Sequence, residues 1–209
     1  VDEKSLISSA RKGDLNAFNQ LVLLYQSRVY NLAYRILGDT DAAEDVTQEA
    51  FISAYSSIRR FKGGSFKAWI LRIVTNACYD EIRRRKRRPT TSLEALLTSN
   101  RTAYQEESPE EEALRSELNS LLQEGIETLP PDQRITLVLS DVEGMSYKEI
   151  AEVTKVSIGT VKSRLSRGRA RLRDFLLKNR ELLPEHYRHK IGGSDDVRFS
   201  KEEIKTRAS

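Results

Sequence analysis

Leu, Val and Ile return every three or four residues from Lys4 to Arg88 and again from Ala113 to Lys178. Nowhere do Val, Ile and Thr alternate with polar residues over a strand length. This spacing buries one stripe of each helix and predicts an all-α protein with no sheet. Gly13-Asp14, Gly38-Asp39-Thr40 and Gly63-Gly64 interrupt the first stretch, and Pro89 closes it after the basic run Arg83 to Arg88. From Thr90 to Glu112 the periodicity fades into polar residues and the acidic patch Gln105 to Glu112, the composition of a linker. Pro130-Pro131-Asp132 starts a further helix. The expected organisation is therefore two small helical domains, residues 1–89 and 113–178, joined by a flexible acidic linker over 90–112. The tail, 179–209, carries Gly192-Gly193-Ser194 and a Ser200 able to cap a short helix, and no role is assigned to it.

The segment SIGTVKSRLSRGRARLRDFL, Ser157 to Leu176, carries the most information. At about 100° per residue, Val161, Leu165, Leu172, Phe175 and Leu176 form a core stripe, joined by Ile158 and Gly168. The opposite side is a spine of small residues, Gly159, Ser163, Ser166 and Ala170. Lys162, Arg169 and Arg173 flank the spine on one side, and Thr160, Arg164, Arg167 and Arg171 on the other. A thin helix with cations on both shoulders fits a groove walled by phosphate; a solvated basic face is the alternative.

Upstream, Ser146-Tyr147-Lys148-Glu149 is a capping box opening a short helix with Ile150, Ala151 and Val153, and Ser157 can cap the next. Two helices joined by a tight turn, the basic one second, predict a helix-turn-helix. In that motif Ser157, Thr160, Lys162, Ser163 and Arg164 are placed to reach base edges. Arg167, Arg169, Arg171 and Arg173 are placed to hold phosphates.

Two helices of the first domain have informative outer faces. Over Asp41 to Ile58, Ala43, Val46, Ala50, Ala54 and Ile58 make a core stripe, which turns Ile52 outward among Asp45, Gln48, Glu49 and Ser56. An aliphatic residue inside a polar, acidic rim has the anatomy of a protein interface; a stray surface Ile is the alternative. From Ser65 to Arg85, apolar residues cover most of the helix and leave a narrow row, Arg72, Asn76, Tyr79 and Arg83, continued by Lys86 and Arg87. Guanidinium, amide and aromatic ring in one row suit unpaired nucleic acid, with a solvated polar face as the competitor. Trp69 borders the row and reads as core or as a base wedge.

Composition narrows the function classes. With 38% hydrophobic and 32% charged residues the chain is too polar for a membrane protein, no apolar run reaches a transmembrane length, and no signal peptide is read at its start. A cytoplasmic location without membrane insertion is expected. The single Cys78 excludes an internal disulfide and reads as a reduced core residue, while His186 and His189 lack a third ligand, so neither a metal nor a cofactor is expected. There is no phosphate-binding glycine loop, no catalytic triad pattern and no carboxylate cluster on one helix face, which argues against an enzyme. The net charge of +4 is modest, so the placement of the cations matters more than their sum.

The chain resembles the bacterial RNA polymerase sigma factors of the extracytoplasmic-function (ECF) group over roughly Lys4 to Lys178. The resemblance is carried by Asp45-Val46-Thr47-Gln48-Glu49-Ala50-Phe51, by Phe66-Lys67-Ala68-Trp69-Ile70 with Arg72, Asn76 and Asp80 to Arg84, and by Gly159-Thr160-Val161-Lys162-Ser163-Arg164-Leu165. It implies an alternative sigma factor. Asp45, Gln48, Glu49 and Ile52 would dock on the clamp helices of the largest polymerase subunit. Trp69, Arg72, Asn76, Tyr79 and Arg83 would melt the minus-ten element, and Ser157 to Arg173 would read the minus-thirty-five element and contact the polymerase flap. Core RNA polymerase, promoter DNA as duplex and single strand, and an anti-sigma factor are the implied partners, and Glu106, Glu107 and Glu110 to Glu112 would run through a basic polymerase channel. Two positions depart from the pattern: Lys155 replaces a turn Gly, and Gly168 replaces an Ala. A polymerase-independent regulator would share the helix-turn-helix, yet it predicts a sensing first domain; a pure adaptor would have no use for the basic faces.

Overall fold

Asp14 and Asp39 turn two of the glycine-marked breaks into helix starts. The Asp14 carboxylate accepts from the amides of Asn16 and Ala17 at 2.9 and 3.1 Å, and that of Asp39 accepts from Ala42 at 2.8 Å. Each satisfies amides that a helix start leaves without a carbonyl partner. The computed structural model describes residues 2–87 and 109–183, which fall into two units. The first runs α1 (Glu3–Arg11), α2 (Leu15–Leu37), α3 (Thr40–Ser57), a 3-10 turn (Ile58–Arg60) and α4 (Phe66–Arg87). The second runs α5 (Pro109–Glu127), α6 (Pro131–Leu137), a π turn (Val138–Val142), α7 (Tyr147–Thr154), α8 (Ile158–Lys178) and a 3-10 turn (Arg180–Leu182). There is no strand among the described residues, and the expected all-helical architecture with a helix-turn-helix in its second part is what the chain adopts.

In the first unit α2, α3 and α4 pack on one another, and α1 lies on α2. Leu21, Leu32, Ile36, Ile70 and Leu71 are fully buried at the centre, each worth roughly 1.5–3 kcal/mol of burial. The small side chains Ala43, Ala50 and Ala54 let α3 approach closely, as its core stripe predicts. Tyr25, Phe61 and Trp69 surround Phe66 with ring centroids 5.2–5.8 Å away, which anchors the start of α4.

In the second unit α8 packs against α5, α6 and α7. Leu129, Ile135, Leu139, Ile150 and Leu165 form its centre. Arg134 donates to the carbonyl oxygens of Glu127 and Leu129, which satisfies the end of α5 and fastens it to α6. α5 starts at Pro109, four residues ahead of the Ala113 at which helical periodicity resumes in the sequence. A proline at the first helical position and acids in the first turn both favour that earlier start. Residues 88–108, which hold Pro89 and most of the expected linker, lie outside the described residues. So do residues 184–209, with His186, His189 and Ser200.

Candidate nucleic-acid and polymerase interfaces

The helix-turn-helix is built by its caps. Ser146 Oγ accepts from the Glu149 amide at 3.3 Å while Glu149 Oε2 accepts from the Ser146 amide at 2.8 Å, so both halves of the capping box are made. α7 ends at Lys155, whose φ of 56° is left-handed, and the Val156 amide turns back to the Ala151 carbonyl at 3.1 Å. The chain thus keeps the turn that Gly would favour, with a lysine in it, a conformation that costs on the order of 1 kcal/mol. Ser157 Oγ then accepts from the Thr160 amide at 3.1 Å and lies 2.9 Å from Thr160 Oγ1, starting α8.

α8 buries Val161, Leu165, Gly168, Leu172 and Leu176 and leaves Ser157, Lys162, Ser163, Arg167 and Arg171 exposed, with Thr160 half-buried. Ile158, expected on the core stripe, is instead 45% exposed at the first position of α8. Ser163 Oγ donates to the Thr160 carbonyl at 2.9 Å and accepts from Arg167 Nη2 at 3.2 Å, while Arg167 Nε donates to the Ser163 carbonyl at 3.1 Å. The guanidinium of Arg167 is therefore held over the outer face.

Two of the sequence-nominated cations are engaged elsewhere. Arg164 is mostly buried and donates to Asp132 at 2.8 Å, and Arg169 makes a two-pronged pair with Asp141 at 2.9 and 2.6 Å. The Asp141 hydrogen bonds raise the Arg169 pKa further above its ordinary value, against the opposing effect of burial. Both residues tie α8 to the α6 segment. Neither pairing is legible in the sequence, where Asp132 reads only as part of a helix start, since each aspartate lies far upstream of its partner and no helical period relates them.

On α3, Asp45, Gln48, Glu49 and Ile52 are all exposed, Ile52 at 68%. Tyr55, one turn on, is also exposed and meets the ring of Phe18 edge-on at 5.0 Å. On α4, Arg72, Asn76 and Arg83 are exposed and Tyr79 is half-buried, so the row stands together along the helix. Arg83 pairs with Asp80 at 3.2 Å, both in solvent. Trp69 is half-buried and its ring lies 5.2 and 5.3 Å from those of Phe61 and Phe66, so it serves the core. Cys78 is fully buried, and burial pushes its thiol up to about 12. No helix among the described residues is long and apolar enough to cross a membrane, and no group of three or more metal-binding side chains occurs among them.

The family model of sigma-70 region 2 matches residues 21–88, and that of sigma-70 region 4 matches residues 120–172. The ECF RNA polymerase sigma factor SigW of Bacillus subtilis is 38% identical over 179 residues, 83% of this chain and 96% of its own. The chain belongs to the ECF sigma factors. SigE of Mycolicibacterium smegmatis, another ECF sigma factor, is 42% identical over 164 residues, 78% of this chain; the match spans 63% of that relative's length. Among solved structures, CnrH in complex with the cytosolic domain of CnrY aligns with a TM-score of 0.61 at 26% identity, covering 83% of this chain and 96% of that one. The sigma factor RpoE in complex with the anti-sigma factor NepR from Bartonella quintana aligns at 0.62 and 26%, covering 78% and 98%. In this ECF sigma factor the α3 face and the α4 row fall inside the region 2 match, and the helix-turn-helix inside region 4. Sigma factors are initiation factors without a catalytic step, and a polymerase-independent regulator has no place for region 2.

Proposed function

We propose that this sigma factor docks on core RNA polymerase through α3, opens promoter DNA along α4 and reads an upstream duplex element with α8, thereby sending polymerase to a specific set of promoters. The row of Arg72, Asn76 and Arg83, exposed, with the half-buried Tyr79 among them, carries the reading, because a duplex-binding protein has no use for flat groups and cations aligned this way. Unstacking a base costs a few kcal/mol, and stacking on an aromatic ring recovers about 1–3 kcal/mol per base, so the freed strand is held open without covalent chemistry.

Residues 1–89 are assigned to docking and minus-ten opening, 90–112 to the connection, and 113–178 to minus-thirty-five readout. Within α8 the reading face is Ser157, Thr160, Lys162, Ser163, Arg167 and Arg171, while Arg164 and Arg169 act through their aspartates to fix the helix. Asp45, Gln48, Glu49 and Ile52 meet the polymerase clamp. A cytoplasmic location follows from these partners. RpoE and CnrH were each captured with a second protein, in RpoE's case an anti-sigma factor, which supports an anti-sigma factor as the regulator here.

Run-off transcription by bacterial core polymerase from a genomic promoter library, with and without the protein, tests the proposal. Starts that appear only with the protein and share two spaced upstream elements are expected. A protein that shifts duplex DNA alone and yields no new start would be a polymerase-independent regulator instead.

A further inference from the structure

Glu81 is a carboxylate at the root of the cationic run Arg83 to Arg87, and the reading of α4 has no use for it. It is 7% exposed and faces the body of the unit. Its Oε1 accepts from Arg85 Nε at 2.8 Å, and its Oε2 pairs with Arg84 at 2.5 Å. Arg85 reaches on to Asp39 Oδ1 at 3.4 Å, the same oxygen that caps α3 through the Ala42 amide. Asp39 directly follows Gly38, whose left-handed φ of 70° ends α2. One buried carboxylate thus draws the last turns of α4 onto the junction of α2 and α3.

At about 100° per residue, Glu81 lies opposite the row of Arg72, Asn76, Tyr79 and Arg83. Lys86 and Arg87 continue that row, whereas Arg84 and Arg85 flank Glu81. The run is therefore divided: Arg84 and Arg85, themselves exposed, fold back to pair with the buried Glu81, and the others lie on the side of the row. Cations at a helix C-terminus already suit the helix dipole, so α4 has no need of Glu81 to stay helical. What the carboxylate adds is direction. It fixes where the charged end of α4 points relative to α3, the helix with the acidic, polymerase-facing rim.

We propose that Glu81 is a positioning residue for promoter opening, which through Arg85 and Asp39 holds the cationic end of the DNA-facing row in register with the docking helix. The inference rests on the sigma-factor reading of α3 and α4. A strand being pulled from a duplex is captured only by groups already in place, because ordering them at that moment would consume the binding free energy. Register matters less once the strand is already free.

The test compares wild type with Glu81→Gln and Asp39→Asn, in full-length chains bound to core polymerase. Gln keeps the shape of Glu81 without its charge, and Asn caps a helix about as well as Asp. Permanganate reactivity at saturating holoenzyme is read on a duplex promoter and on the same promoter carrying a pre-melted minus-ten bubble. Both variants are expected to bind polymerase like wild type, to open the duplex about three- to tenfold less, and to occupy the bubble template normally. Opening of the duplex at the wild-type level overturns the proposal, as does a loss of polymerase affinity that accounts for the whole defect. A defect equal on both templates also overturns it, since that marks a fold brace or a direct strand contact. Failure of the wild-type protein itself to open any promoter would sink the underlying reading, and the inference with it.

Discussion

Arg169 donates through both Nε and Nη2 to the two carboxylate oxygens of Asp141, 28 residues upstream, at 2.9 and 2.6 Å. The pair fastens the middle of α8 to the π turn that follows α6. A charged hydrogen-bonded pair of this kind is worth about 1.5–3 kcal/mol, so Arg169→Ala should lower the stability of residues 109–183 by about 2 kcal/mol in denaturant unfolding. It should leave the salt dependence of duplex binding unchanged. Arg171→Ala should do the reverse, with stability altered by less than about 0.5 kcal/mol and the slope of log K against log salt reduced by about 0.9. Equal slope changes in both variants would mean that Arg169 also meets a phosphate.

Gly168 and Gly125 should respond to alanine with opposite signs. A Cβ on Gly168 would lie 3.6 Å from Gln133 and Leu137, an ordinary contact, so Gly168→Ala should stabilise by about 0.5–1 kcal/mol through helix propensity. A Cβ on Gly125 would come within 2.6 Å of Leu172 and 2.8 Å of Phe175, so Gly125→Ala should destabilise by about 1–3 kcal/mol through overpacking. Thermal melting of the two variants decides both signs.

Ile52 is among the most exposed aliphatic residues described, and its removal should leave the fold alone. Ile52→Ala is expected to weaken binding to core polymerase about tenfold, the value of one buried aliphatic contact, with an unfolding free energy within about 0.5 kcal/mol of wild type. Surface-plasmon titration against core polymerase measures the first, and unchanged affinity would take Ile52 out of the interface.

Cys78 sets an alkaline limit on the first unit. Burial raises its thiol from an ordinary 9.0 to about 12, so above pH 9 the unfolded chain releases a proton that the folded chain keeps. The stability it contributes is full below pH 9 and is lost as the pH rises toward 12, with a slope of about 1.4 kcal/mol per pH unit from this group. Tyr25, raised from 10.0 to about 12 mainly by burial, adds its own loss above pH 10. Cys78→Ala should flatten the stability curve between pH 9 and 10, and a curve parallel to wild type there would remove Cys78 as the cause.

Local rules made much of this molecule legible. The capping box at Ser146 and Glu149, the cap at Ser157 and the outward turn of Ile52 depend on neighbours within one or two helical turns, and the structure has each of them. Arg164, Arg169 and Glu81 were harder to read, for a shared reason. A helical wheel says which way a side chain leaves its own helix and is silent on what waits there. Asp132 and Asp141 lie outside α8, and although Glu81 meets Arg84 and Arg85 on its own helix, the reach of Arg85 onward to Asp39 exists only once α3 is packed beside α4. The sequence assignment of Arg164 to base reading fails to anticipate that Asp132 holds its guanidinium.

The hydroxyl of Ser163 has a polarity that follows from its two bonds along α8. Its only proton goes to the Thr160 carbonyl and one lone pair takes Arg167, so toward a base edge it can only accept. In the major groove the donors are the amino groups of adenine and cytosine, whereas guanine and thymine offer carbonyl oxygens that this hydroxyl would repel. If Ser163 faces a base edge as proposed, a base-pair scan of the upstream element should show adenine or cytosine at that position, and indifference there would take Ser163 out of the reading face.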